Sequence, residues 1–291
     1  MGTALGFSAI LMWALLALLT SLSGDVPPFQ LAAMSFAVAS AIGLTMLKLR
    51  GANWRVFRQH PMVWLVGVGG LFGYHALYFG ALRHAPAAEA SLIAYLWPLL
   101  IVIGSAFMPG ERLRWFHILG ALFGLCGAAL IVTRNGGFAL DSRYLLGYGL
   151  AVLCALTWSS YSLLSRRFAT VPSDVVTGFC LVTAALALVA HLAFETTIWP
   201  GSVVSWVAVL LLGLLPVGGA FYVWDYGVKH GDIQIIGAAS YAAPLLSTLI
   251  LILAGNAAMR FEIAAAAMLI TAGAALAALP VFKRLLQQAK A

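Results

Sequence analysis

The hydrophobic positions of this chain fall in long unbroken runs separated by short polar clusters, without the strict alternation that marks a half-buried strand. Crossing roughly 30 Å of hydrocarbon takes about 20 apolar residues at 1.5 Å each, with every backbone group bonded inside the segment. Ten runs meet that requirement: 5–22, 29–47, 62–82, 87–107, 115–132, 145–164, 175–194, 206–228, 233–253 and 263–282. The links between them are short and carry breakers such as Pro27-Pro28, Gly51-Ala52-Asn53, Pro109-Gly110, Asn135-Gly136-Gly137, Pro172-Ser173, Pro200-Gly201 and Gly255-Asn256. The pattern predicts an all-α polytopic membrane protein with ten transmembrane helices and no extramembrane domain.

The chain also repeats itself. At an offset of 145, Gly2 falls on Gly147, Trp13 on Trp158 and Pro27 on Pro172; at 146, Gly73 falls on Gly219, His84 on His230, Tyr95 on Tyr241, Pro98 on Pro244, Arg114 on Arg260 and Gly127 on Gly273. A near-ungapped register of this length predicts two halves, 1–139 and 140–291, of five spans each. Five is odd, so the second half enters the membrane from the opposite face and the repeats are inverted. Inverted repeats place a substrate site near the bilayer midplane and open it alternately to each side. Lys and Arg fix the expected orientation: the loops on the side of the termini hold 12 of them, Lys48, Arg50, Arg166, Arg167 and Lys229 included. The other loops hold 4, Arg83, Arg134, Arg143 and Arg260, which predicts cytoplasmic N and C termini.

Composition narrows the function. With 63% hydrophobic and 9% charged residues over 291 positions, the formal +7 is too sparse to form a phosphate-neutralising surface, so no nucleic-acid partner is expected. The partners are instead the lipid bilayer and a small-molecule substrate. Cys126, Cys154 and Cys180 are isolated in apolar runs and read as packing residues. The six histidines form no HxxxH or HExxH pattern, so neither a metal site nor a cofactor is expected. His84, His230, Arg83 and Lys229 stand at span ends, where snorkelling accounts for them. The glycines of 67–73 lack dinucleotide-loop spacing and, with Gly120 and Gly124, read as close helix packing. Gly2 to Gly6 and Gly120 to Gly124 also offer a homodimer face, with internal packing the better reading.

Polar and aromatic groups at membrane depth are the candidates for chemistry, because an ionisable side chain there costs about 2.5–3.5 kcal/mol on insertion scales and tends to face a cavity or a partner. His75 and Tyr78 share a helix face, and the repeat places Phe221 and Trp224 at the matching positions, with Asp225 beside Trp224. Core packing or interfacial anchoring is the plain alternative for these rings. Tyr95-Leu96-Trp97-Pro98 and Tyr241-Ala242-Ala243-Pro244 repeat a Tyr-x-x-Pro in which Pro98 and Pro244 each free a carbonyl one turn earlier and bend the helix. Trp13 and Trp158 are repeat mates, and Tyr161 follows Trp158 by one turn. Such rings suit stacking on a flat ligand or contact with an ammonium group. Asp225 is the candidate ammonium partner, and Asp225 or His75 the candidate proton carrier.

The repeated Tyr-x-x-Pro, the paired tryptophans and ten spans in two inverted fives resemble the EamA-like ten-span exporters of the drug/metabolite transporter superfamily, over the whole chain. Ala94-Tyr95-Leu96-Trp97-Pro98, Trp224-Asp225-Tyr226-Gly227-Val228-Lys229-His230-Gly231 and Ser240-Tyr241-Ala242-Ala243-Pro244-Leu245-Leu246-Ser247 carry the likeness. The resemblance implies ten helices around a central cavity in a bacterial inner membrane. It implies Tyr95, Trp97, Pro98, Trp158, Tyr161, Tyr241 and Pro244 as cavity lining, and export of aromatic and other large neutral amino acids. Efflux of flat cations such as methyl viologen is the second expectation, which the same rings and Asp225 suit. A membrane-embedded enzyme or a non-transporting subunit is the alternative of another class, but no catalytic constellation stands out in the sequence.

Overall fold

A computed structural model describes residues 1–133, 141–255 and 261–279. Ten helices cross the body of the molecule among these residues: α1 Gly2–Leu22, α2 Pro28–Leu49, α3 Pro61–His84, α4 Ala87–Phe107, α5 Trp115–Thr133, α6 Ser142–Arg167, α7 Ser173–Phe194, α8 Val203–His230, α9 Ile233–Leu253 and the shorter α10 Phe261–Ala277. Nine are long and apolar enough to span a bilayer. The ten expected runs each match one helix to within a few residues. Arg134, Asn135-Gly136-Gly137, Asn256, Arg260, the end of the tenth run and the basic C-terminal residues Lys283, Arg284 and Lys290 lie outside the described residues.

The helices pack as pairs. α1 lies on α8 and α9, while α6 lies on α3 and α4; α2 packs against α7 and α8, and α7 against α2 and α3; α5 packs on α10. Exchanging each helix for the one five places along leaves this set of neighbours unchanged. Small residues allow the close approaches. A Cβ on Gly120 would meet the Gly273 carbonyl at 2.6 Å and one on Gly2 the His230 backbone at 2.6 Å, so both of the glycine clusters read as a possible dimer face are turned onto the chain's own helices. Cys154 and Cys180 are buried, while Cys126 is exposed on α5.

α1 is interrupted at Leu15, and in four further helices the departures from α geometry match between halves. α3 widens to a π turn over Gly69–Gly73, and α8 does the same over Leu215–Gly219, 146 residues later. Pro216 cannot donate into the helical ladder, which accounts for the widening in α8. In α3 the ring of Tyr161 leaves no room for a Cβ on Gly70, 2.5 Å from its Cγ. α4 and α9 break at Tyr95–Leu96 and Ser240–Tyr241, immediately before the expected proline bends.

Both ends of the α2/α7 pair are tied. The Glu195 carboxylate accepts the Phe29 and Gln30 N–H groups at 2.9 and 3.1 Å, placing negative charge on the amide-rich start of α2, and the Nδ1 of His191 lies 3.0 Å from it. At the opposite end Arg50 meets Asp174 at 2.8 Å.

Candidate functional site

A cavity of about 840 Å³ occupies the centre of the helix bundle. Its walls come from the C-terminal halves of α1 and α9, the start of α4, the end of α5, and the middles of α3, α6 and α8. All those helix ends lie on one side, so the cavity opens on the side away from the N terminus.

The closed end is a floor of rings. Trp13 is its hub, with its centroid 4.9 Å from Trp224, 5.7 Å from Trp158, 6.2 Å from Trp97 and 6.3 Å from Phe221. Most of these contacts are edge-to-face or tilted, the arrangement in which the positive edge of one ring meets the negative face of another. The Trp13 indole N–H donates to the Pro216 carbonyl at 3.1 Å, an acceptor within the π turn of α8. The kinked backbone therefore sets the orientation of the central ring.

The side walls carry the polar groups. His75 points Nδ1 at the Leu71 carbonyl, 2.7 Å away, which makes that nitrogen the donor and leaves Nε2 as an acceptor in the neutral ring. Its ring lies edge-on to Phe36 at 5.2 Å. Tyr78 and Ser91 share a 2.9 Å hydrogen bond that joins α3 to α4. Thr20, Ser21, Ser247 and Thr248 add hydroxyls near the mouth. Among the described residues that line the cavity there is no Asp, Glu, Lys or Arg.

Of the twelve residues singled out in the sequence, Trp13, His75, Tyr78, Tyr95, Trp97, Trp158 and Pro244 line this cavity. Five do not. Trp224 lies behind the floor, fully buried, donating its indole N–H to the Ser162 hydroxyl at 3.1 Å. Tyr161 backs Trp158 at 5.1 Å. Pro98 is buried with its carbonyl against Gly237 of α9. Tyr241 is buried against Gly124 and its hydroxyl accepts the Leu99 N–H at 3.2 Å, so it satisfies an amide at the start of the second half of α4. The repeated Tyr-x-x-Pro thus does different work in each half: Tyr95 lines the cavity and Tyr241 holds backbone.

Asp225 stands apart from the cavity lining. It lies below the floor with its side chain 1% exposed, 2.7 Å from Lys229 and 2.5 Å from the Ser173 hydroxyl. Lys229 is likewise buried rather than snorkelling, and also donates to the Val171 carbonyl at 2.9 Å. Their i, i+4 spacing was the signal for this pair in the sequence. By contrast His84 and His230 are exposed, each bonded to a carbonyl one turn earlier, in keeping with span-end positions. Tyr74, 5.3 Å from Trp158, and Ser91, Ser247 and Thr248 also line the cavity, at positions that carry no distinguishing pattern in the sequence.

Comparison with known proteins agrees with this architecture over its full length. The model of the EamA-like transporter family matches residues 1–133 and 145–279. The chain is 54% identical to the aromatic amino acid exporter YddG of Ancylobacter novellus over 95% of its length and 96% of the relative's. It is 26% identical to the Escherichia coli protein of the same name, covering 94% of this chain and 95% of that one. A solved crystal structure with 53% identity superposes with a TM-score of 0.93 over 98% of both chains. Ten apolar helices, a ring-floored central cavity and these matches across both halves place the chain in the EamA-like transporter family, as a multi-pass protein of the bacterial inner membrane.

Proposed function

We propose that this protein exports aromatic and other large neutral amino acids by alternating access. The observation that carries the reading is the cavity itself: about 840 Å³, floored by rings, bearing hydroxyls and one imidazole, and lined among the described residues by no Asp, Glu, Lys or Arg. Such a lining suits a zwitterion with an apolar side chain. The ring of the substrate would rest on Trp13, Trp97 and Trp158. The ammonium would meet the free Nε2 of His75 and the Tyr78 and Tyr95 hydroxyls. The carboxylate would lie at the mouth of the broken α9, where Ala243 and Pro244 open on the cavity and the second half of the helix presents its positive end. The name of the 54% identical relative supports the same substrate class.

The halves 1–139 and 140–291 are proposed as the two inverted units that rock about this site, with both termini in the cytoplasm so that the present opening faces outward. The exchangeable helix neighbours and the paired π turns support the division. A flat cation is the weaker substrate, because Asp225, the acid that would receive it, is paired with Lys229 below the floor. We read the protein as a transporter rather than an enzyme or passive subunit, and as one chain carrying one whole cavity, which needs no second copy. The test is counterflow in proteoliposomes with labelled phenylalanine, tryptophan, alanine, arginine and methyl viologen, with and without a pH gradient. Uptake of the aromatic amino acids above alanine supports the proposal; uptake of methyl viologen alone rejects it.

A further inference from the structure

The side opposite the opening is shut by two ionic layers. The inner layer is Asp225 with Lys229 and Ser173, tying α8 to the start of α7. The outer layer is Arg166 at the end of α6. It pairs with Glu111 beyond α4 and donates through Nη1 to the carbonyls of Val228 and Gly231, both at 2.8 Å, at the end of α8. The space enclosed beside Asp225 and Lys229 is about 10 Å³, room for at most one water.

A buried ion pair adds little net stability over apolar packing, because desolvation offsets most of the attraction. Its presence at a surface that must part calls for a different explanation. Both charges ride on α8, and they reach the start of α7 through Ser173 and the link before it through the Val171 carbonyl; dry, those bonds resist separation strongly, and once water enters each group rehydrates and the resistance falls away. A contact of this kind is either shut and dry or open and wet. The repeat places a different set of residues at the matching positions of the open side. The mates of Asp225, Arg166 and Ser173 are Phe79, Ser21 and Pro28, while Lys229 matches Arg83, so the open side keeps one cation and has neither the acid nor the Arg166 partner at the matching places.

We propose that the bonds from the Asp225–Lys229 pair to Ser173 and the Val171 carbonyl, with those from Arg166 to Glu111 and the end of α8, are the gate of the N-terminal side: their parting admits substrate to the cavity and their closure biases the resting protein toward the opposite opening. The assignment rests on the alternating-access reading above. Its test uses no substrate. In a Cys126→Ser background, where Cys154 and Cys180 remain buried, Ser165→Cys places a thiol on α6 beside the gate. Its rate of reaction with a hydrophilic maleimide reports how often this side opens. Glu111→Gln and Asp225→Asn keep side-chain shape and remove one charge each. Each is expected to raise the rate about tenfold, and the pair together more than either. The gate assignment is overturned if the double variant, or Glu111→Gln where Asp225→Asn does not fold, elutes and melts like the parent and reacts no faster. Counterflow of phenylalanine by the parent is measured separately, so a wrong substrate class and a wrong gate give different results.

Discussion

Replacing Tyr241 by phenylalanine removes one oxygen and little else, yet the structure assigns that oxygen a specific task. It accepts the Leu99 N–H at 3.2 Å, with Tyr241 itself fully buried and Leu99 half-buried, at the point where α4 restarts after its break. The amide stands in the first turn of the restarted helix and would be left unbonded in a dry environment, at a cost of about 1–3 kcal/mol. Because the ring stays in place against Gly124, no cavity term is added. Tyr95→Phe alters the repeat mate, which lines the cavity. It should leave stability unchanged and weaken substrate binding by about three- to tenfold, the worth of one hydrogen bond at about 0.5–1.5 kcal/mol. The assays are thermal unfolding in one detergent and KM for phenylalanine counterflow. Tyr241→Phe should lower the melting temperature with KM intact, and Tyr95→Phe the reverse. Two variants with the same profile would refute the division of labour between the halves.

Other outcomes follow from the same contacts. Gly124→Ala puts a Cβ 2.5 Å from the Tyr241 ring, and the strain should cost about 1–3 kcal/mol, read as a lower melting temperature. Glu195→Gln removes the charge that caps Phe29 and Gln30 and faces His191, and should destabilise by about 1–3 kcal/mol without changing which amino acids compete for transport. Trp158→Ala strips the floor of a ring that touches Trp13, Tyr74 and Phe221; Trp158→Phe should retain most phenylalanine counterflow and Trp158→Ala lose most of it. Equal flux in the two would remove the floor from the substrate site.

How much of this was legible in the chain follows from what each signal depends on. The ten helices were, since crossing hydrocarbon requires run length alone, and each expected run falls on one helix. The breaks in α4 and α9 were also legible, because Pro98 and Pro244 act locally. The π turn of α3 was not. Its glycines read as packing, and widening there accompanies the ring of Tyr161 pressed on Gly70, a contact 91 residues away in sequence. Asp225 was misplaced for a geometric reason. Adjacent residues on a helix point about 100° apart, so Trp224 behind the floor and Asp225 in the gate face different neighbours despite being adjacent in the chain. Tyr241 shares its motif with Tyr95, but Gly124 and the Leu99 amide, which decide its role, are remote and carry no mark.

The most direct measurement is occupancy of the cavity by substrate. Ser247→Cys in the Cys126→Ser background places a thiol on the cavity wall, and its maleimide reaction is followed with increasing phenylalanine, tryptophan, alanine or arginine. Phenylalanine and tryptophan should slow the reaction saturably, with half-maximal effects matching their counterflow KM, and Trp13→Ala should weaken that protection. Reaction at the same rate with all four amino acids, in protein that still transports phenylalanine, would show that the substrate travels elsewhere.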